Sequence, residues 1–348
     1  MNINSNKYNW WTLLLVACAI FSACEKQPAS TQNAISFGSG RKQALNTINA
    51  NARLWGYTNS GDVVNAGAVI FDGVEAEYKD EILTPGVTRY WADNQFYNFY
   101  SVWPVVTTGN GISDIAFNIT NSELSFTADI SNQNGNTDFC IAAALDEEGG
   151  ADRTDAVQMT YKHALSKVQF YGFSSTAGII AQLTNFTITV PKSANAVCTL
   201  TEDTKERTTE NDVTTEYPLT ITYTFLDSDN NAENGVDSIN LASTLPEDLP
   251  EGQDYFSLNV HDATTNPNGT FVLEKLVLPM ETGTFHVAAT YKIGNDTKTV
   301  KTDITATWQP GKNYIYKFKI QPAGPIIFAD EVIINDWDEE ITAGDVQF

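Results

Sequence analysis

Three histidines, His163, His261 and His286, are the only imidazoles in the chain. None stands in an H-E-x-x-H spacing or beside a cysteine pair, so spacing alone offers no zinc site. His163 reads as a packed or hydrogen-bonded structural residue, and His286 alternates outward on its segment. The run DSDNNAENGVD (227–237) imitates a calcium loop, with Asp227, Asp229 and Asn231 at alternate positions. The imitation fails further on, because Ala232 takes the place of the turn glycine and Ser238 that of the bidentate glutamate. Asp336, Asp338, Glu339 and Glu340 crowd together, but among 43 acidic residues such neighbours arise freely, and a solvated acidic turn explains them. There is no G-x-S-x-G elbow and no phosphate-cradling glycine loop. These residues point away from catalysis, and neither a metal nor a cofactor is expected.

Lys plus Arg number 20 against 43 Asp plus Glu, a net charge of −23. Such a surface repels phosphate backbones, which excludes nucleic acid as a partner. It suits solubility outside a cell. Residues 1–23 are of another kind. Lys7 is followed by an apolar run, WWTLLLVACAIF (10–21), and then by Ser22, Ala23 and Cys24. A run of about 12 apolar residues is too short to span a bilayer and fits a signal-peptide core. F-S-A-C resembles a bacterial lipobox, in which the Cys24 thiol receives a diacylglyceryl group and cleavage makes Cys24 the first residue. The other reading is an ordinary cleaved signal with an incidental cysteine. Cys140 and Cys198 then remain, each in an apolar context and each read as a small buried hydrophobe; a disulfide between them is the alternative.

The elements that must position any site are strands. Residues 24–33 read as a polar tether. AISF (34–37) follows, and Gly-Ser-Gly punctuation marks a joint before Arg41 and Lys42. LWGYT (54–58), AVIF (68–71), TRYW (88–91) and FYNFYSVW (96–103) are rich in aromatic and β-branched residues. ELSFTADI (123–130) alternates cleanly, and DFCIAAAL (138–145) is an apolar run befitting a central strand. The second half repeats the theme in VQMTY (157–161), NFTITV (185–190), LTITYTF (219–225), FHVAATYKI (285–293) and NYIYKFKI (313–320). In the last, Lys317 and Lys319 lie opposite the aromatic face. Around His163 the alternation changes phase, which implies a bulge or a bend between sheets. The spacing predicts an all-β protein of two tandem β-sandwich domains, residues 34–155 and 156–348.

Taken in order, YTNSGD (57–62), RYWADNQFYNFYSVWP (89–104), VQMTYKHALSKVQF (157–170), WQPGKNYIY (308–316) and IIFADEVIINDW (326–337) resemble the fimbrillin-like family of Bacteroidetes surface lipoproteins, the subunits of type V pili. The resemblance covers roughly residues 34–337. It implies transthyretin-like sandwiches and an outer-membrane lipoprotein precursor that ends in a surface fimbria. It implies that a trypsin-like protease removes the first strand and that a neighbouring subunit's C-terminal strand replaces it. Ile35 and Phe37 would anchor the removable strand. Arg41 is the first candidate for cleavage and Lys42 the second; Arg53 would discard more chain. Ile341, Val346 and Phe348 would belong to the donor strand, while EVIIN (331–335) joins either the body or the donor.

One rival stays open. Trp91, Trp103 and Trp337, if exposed, could stack on sugar rings, which would make the chain a glycan-binding surface lipoprotein that does not polymerise.

Overall fold

A computed structural model describes residues 32–39, 51–59, 66–80, 82–105, 111–131, 138–200, 219–227, 236–245, 251–262, 264–322, 324–330 and 332–337. Every regular element among them is a strand. In the first half these are β1 Phe37–Ser39, β2 Ala52–Asn59, β3 Ala66–Lys79, β4 Ile82–Pro85, β5 Phe96–Trp103, β6 Ile112–Asn118, β7 Glu123–Asp129 and β8 Cys140–Glu148. There follow β9 Val157–Met159, β10 Lys162–His163, β11 Ser166–Ser174, β12 Ala181–Pro191, β13 Ser193–Leu200, β14 Leu219–Phe225 and β15 Ser238–Ala242. The chain continues through β16 Phe256–Leu258, β17 Thr270–Val277, β18 Met280–Ile293, β19 Asp296–Trp308, β20 Lys312–Ile320, β21 Ile327–Phe328 and β22 Ile333–Asp336. No helix among the described residues is long and apolar enough to cross a membrane.

The strands make four sheets consistent with two β-sandwiches. The first sheet has eight strands in the order β10-β8-β5-β2-β3-β4-β1-β9. Its central strands are buried on both faces, which is why FYNFYSVW and DFCIAAAL are nearly continuous apolar runs. Leu54, Phe99, Trp103 and Ala142 point to one core. Trp55, Tyr57, Tyr100, Val102 and Ile141 point to the other. That second face packs on the sheet β14-β13-β7-β6. Phe117 of β6 meets Tyr100 at 4.7 Å and Trp55 at 5.9 Å, and Tyr57 and Ser122 hydroxyls lie 2.6 Å apart. The other sandwich joins β17-β11-β20-β21, with β22 on β20, to β15-β12-β18-β19, with β16 on β12. Phe186 stacks on Phe318 at 4.9 Å and lies 5.1 Å from Phe170.

The eight-stranded sheet ends in β9 on one side and β10 on the other, yet only Thr160 and Tyr161 separate these strands in sequence. At about 3.3–3.6 Å of reach per residue, the two edges must lie close together. The sheet therefore curls around its own core of Ile35, Phe37, Leu54, Phe71, Leu83, Trp91, Phe99, Trp103 and Met159. Tyr161 sits in the connection, with its hydroxyl 2.7 Å from Ser101 Oγ inside that core.

Three expectations need revision in detail. TRYW (88–91) is not a strand; it passes the N-terminal segment irregularly, with one bridge from Tyr90 to Ala34. Lys317 does not face solvent but is 3% exposed beside the fully buried Ile315, because both faces of β20 are covered. Hydrogen bonding also crosses the expected division at 155/156. β9 and β10 extend the first sheet, and β13 pairs with β7. The phase change near His163 is the bend itself: the chain leaves the first sheet after His163 and enters another at Ser166. Cys140 and Cys198 are buried in different cores, and no disulfide joins them.

Candidate functional site

The N-terminal segment is built into the curled sheet. In Ile35-Ser36-Phe37 the alternating apolar residues turn inward, with Ile35 5% and Phe37 0% exposed. Phe37 meets Phe99 edge-on at 5.0 Å and Phe71 at 5.8 Å, each a favourable edge-to-face pair. Gly56 makes room for these rings. A Cβ there would stand 2.7 Å from Phe99 Cδ1 and 3.1 Å from Phe71 Cδ2. Burying a phenylalanine this fully contributes about 1.5–3 kcal/mol.

Backbone bonds hold the segment from both flanks. On one side β1 runs antiparallel to β4, with Phe37 opposite Leu83 and Gly38 opposite Ile82. Ile35 N–H donates to Arg89 O at 2.8 Å, and Trp91 N–H donates to Asn33 O at 3.1 Å. On the other side β1 runs parallel to β9, with Phe37 opposite Val157 and Ser39 opposite Met159. Val157 N–H donates to Ser36 O at 2.9 Å, and Asn33 N–H to Ala151 O at 3.0 Å. The segment thus fills a slot between residues 82–91 and 151–159. Among the described residues, β9 has its sheet pairing with β1 alone.

The predicted site residues divide cleanly. Ile35 and Phe37 lie together in the slot. Cys24, Arg41, Lys42, Ile341, Val346 and Phe348 lie outside the described residues, as do Asp229, Asn231, Asp338, Glu339 and Glu340. Asp227 is buried. Arg53 lies within β2, paired to Glu75 and to Val102, so its peptide bond is locked in two ladders. EVIIN belongs to the body through β22, whose Ile334 pairs with Tyr314. The tryptophans offer no sugar platform: Trp91 and Trp103 are 0% and 1% exposed, and half-buried Trp337 has a ring face stacked on His163 at 4.2 Å. Trp91 is further covered by the Arg153 guanidinium, 4.3 Å from its ring. His286 is exposed and pairs with Asp303 at 2.6 Å across the β18–β19 ladder.

Sequence reasoning missed two groupings. By sequence Val157 and Met159 open the second half, whereas in the structure they wall the slot in the first sheet. The phase change at His163 was the signal available for that. Asp138, Cys140 and His163 also converge, with Asp138 hydrogen-bonded to His163 Nδ1. They come from two segments, and no local spacing announces them.

Known proteins of similar architecture include a crystal structure of a putative cell adhesion protein from Bacteroides uniformis, at 17% identity and a TM-score of 0.45, covering 89% of this chain and 100% of that one. A fimbrial assembly protein from Parabacteroides distasonis is 9% identical with a TM-score of 0.34, over 87% of this chain and 99% of that one. The tip fimbrial protein Mfa3 from Porphyromonas gingivalis, with a C-terminal truncation, is 9% identical with a TM-score of 0.39, over 87% and 98%. No curated protein matches the sequence. The fimbrillin-like family model matches residues 43–337, most of the chain. The chain therefore belongs to the fimbrillin-like family, a family of structural proteins and not of enzymes.

Proposed function

We propose that the protein is a subunit of a surface fimbria whose residues 33–39 are a placeholder strand, released by proteolysis and replaced by the chain end of a neighbour. The observation that carries this reading is the slot. A short segment just before two basic residues is buried at Ile35 and Phe37 and hydrogen-bonded on both flanks. Taken away, it uncovers ladder groups and apolar walls on β4 and β9, which favour pairing with another strand. Arg41 and Lys42 follow Ser39 closely, and a trypsin-like cut after either would sever the segment from β2. Val346-Gln347-Phe348 repeats the pattern of Ile35-Ser36-Phe37: a β-branched residue, a polar one, a phenylalanine. Ile341 would add a further anchor to such a donor. Before cleavage, lipid on Cys24 would hold the precursor in the outer membrane. Its partners are then other fimbrial subunits and the processing protease.

Limited digestion of the precursor with trypsin tests this. The expected product starts at Lys42 or Gln43, and residues 33–39 are displaced as oligomers form. An Arg41→Ala, Lys42→Ala variant should stay intact and monomeric. Removing residues 346–348 should permit the cut yet abolish the oligomer. Clean cleavage with loss of the segment, but no oligomer at any concentration, would refute the reading.

A further inference from the structure

The convergence of Asp138, Cys140 and His163 has a geometry of its own. β8 and β10 pair antiparallel with His163 directly opposite Cys140. Asp138 stands two residues before Cys140. Cys140 Sγ lies 3.5 Å from His163 Nδ1 and 3.7 Å from Asp138 Oδ1, and Asp138 Oδ1 hydrogen-bonds the same Nδ1. All three donor atoms fall within 4.8 Å of one another. Trp337 stacks on the imidazole with an interplanar angle of 9°, which fixes the ring plane. Cys140 and His163 are 0% and 2% exposed, while the Asp138 side chain is 25% exposed and forms the open side.

We propose that these three side chains form a site for a thiophilic divalent cation, Zn²⁺ above all, with water in the fourth position. A tetrahedral zinc with bonds of about 2.3 Å to sulfur and about 2.0–2.2 Å to nitrogen and oxygen has S···N and S···O edges of about 3.5 Å. The two sulfur edges found here match that figure. The N···O edge is a hydrogen bond, with a proton held between the two atoms. As zinc takes the Nδ1 lone pair, that proton passes through solvent to Nε2 so that the imidazole stays neutral, and the edge opens by rotation of Asp138, the solvent-facing partner. The Cys140 thiol gives up its proton to solvent as the bond to the metal forms. A thiolate and an imidazole suit zinc and disfavour calcium or magnesium, which take oxygen ligands. A nucleophilic relay does not fit. Thiol and carboxylate approach one ring nitrogen, whereas a relay needs them on opposite nitrogens. The site is independent of the strand-replacement reading.

The test uses the tag-free full chain carrying Cys18→Ser and Cys24→Ser, so that Cys140 and Cys198 are its remaining thiols. Cobalt titration should produce a thiolate-to-metal charge-transfer band, and native mass spectrometry should show one zinc per chain. Adding Cys140→Ser should remove the band. Asp138→Asn, at a partly exposed position that keeps the fold, should weaken zinc binding at least tenfold. Failure of the parent chain to take up zinc at micromolar concentration, or uptake by both variants equal to the parent's, would overturn the proposal.

Discussion

Replacing Phe37 with alanine probes the slot directly. The ring is fully buried and packs edge-on against Phe99 and Phe71. Deleting a core phenylalanine costs about 3–5 kcal/mol. Residues 33–39 form an edge-proximal segment, so much of that loss should fall on their local detachment and not only on global unfolding. At a factor of ten per 1.4 kcal/mol, the detached population rises roughly 100-fold to several thousand-fold. Hydrogen exchange reads this residue by residue. Val157 N–H donates to Ser36 O and Trp91 N–H to Asn33 O, so these amides should lose protection by that factor. Amides in β12 and β18, in the other sandwich, should change far less. If Val157 and Trp91 exchange no faster in Phe37→Ala, or if all amides accelerate together, the segment is not a separable insert and the reasoning fails.

Gly56→Val places methyl groups against the Phe99 and Phe71 rings, which a Cβ alone already approaches to 2.7 and 3.1 Å; a lowered melting temperature and a segment 33–39 more readily digested are expected. Tyr316→Phe removes the hydroxyl that accepts the buried Trp308 Nε1–H at 2.8 Å, a loss of about 1–3 kcal/mol in urea denaturation, and the Trp308→Phe, Tyr316→Phe double variant should lose less than the two singles summed. Lys317 is buried without a hydrogen-bond partner for its ammonium among the described residues, and burial pushes its pKa below the ordinary 10.5. The folded state therefore disfavours a proton the unfolded chain keeps, a penalty present below the folded pKa and relieved as pH rises toward 10.5. Lys317→Met should accordingly be more stable than the parent near neutral pH, with the gain shrinking in alkaline buffer; a Met variant less stable at neutral pH would contradict this.

Much of the fold was legible because alternation reports burial directly. In β7 Leu124, Phe126 and Ala128 are buried while their neighbours are half-buried, as the period predicts. β8 read as central because both its faces meet cores. β19 was missed: DTKTVKTDITATW carries mostly threonine and charge, because one side of this edge strand faces water along nearly its whole length. β13 escaped notice for a different reason. SANAVCTL inserts Ala194, Ala196 and Cys198 into the core, small residues that match large partners on other strands and lack a strong local signal. At the site, Ile35 and Phe37 came forward through the family resemblance, whereas the strands that wall them did not. The pairing of β1 with β9 spans some 120 residues of sequence, and such closure depends on the whole chain and not on any window of it. The contact of His163 with Asp138 was hidden likewise by the two strands and the turn that intervene.

The slot also has a sense of direction. Its occupant runs antiparallel to β4 and parallel to β9, so evenly slanted bonds form along one wall and alternating close and wide pairs along the other. A strand entering backwards would exchange these two patterns and meet each wall out of step. Chains joined through this seat would therefore all point the same way. In the proposed assembly the fibre would be polar, with an unfilled seat at one extremity and an unspent tail at the other, and would lengthen by different chemistry at each.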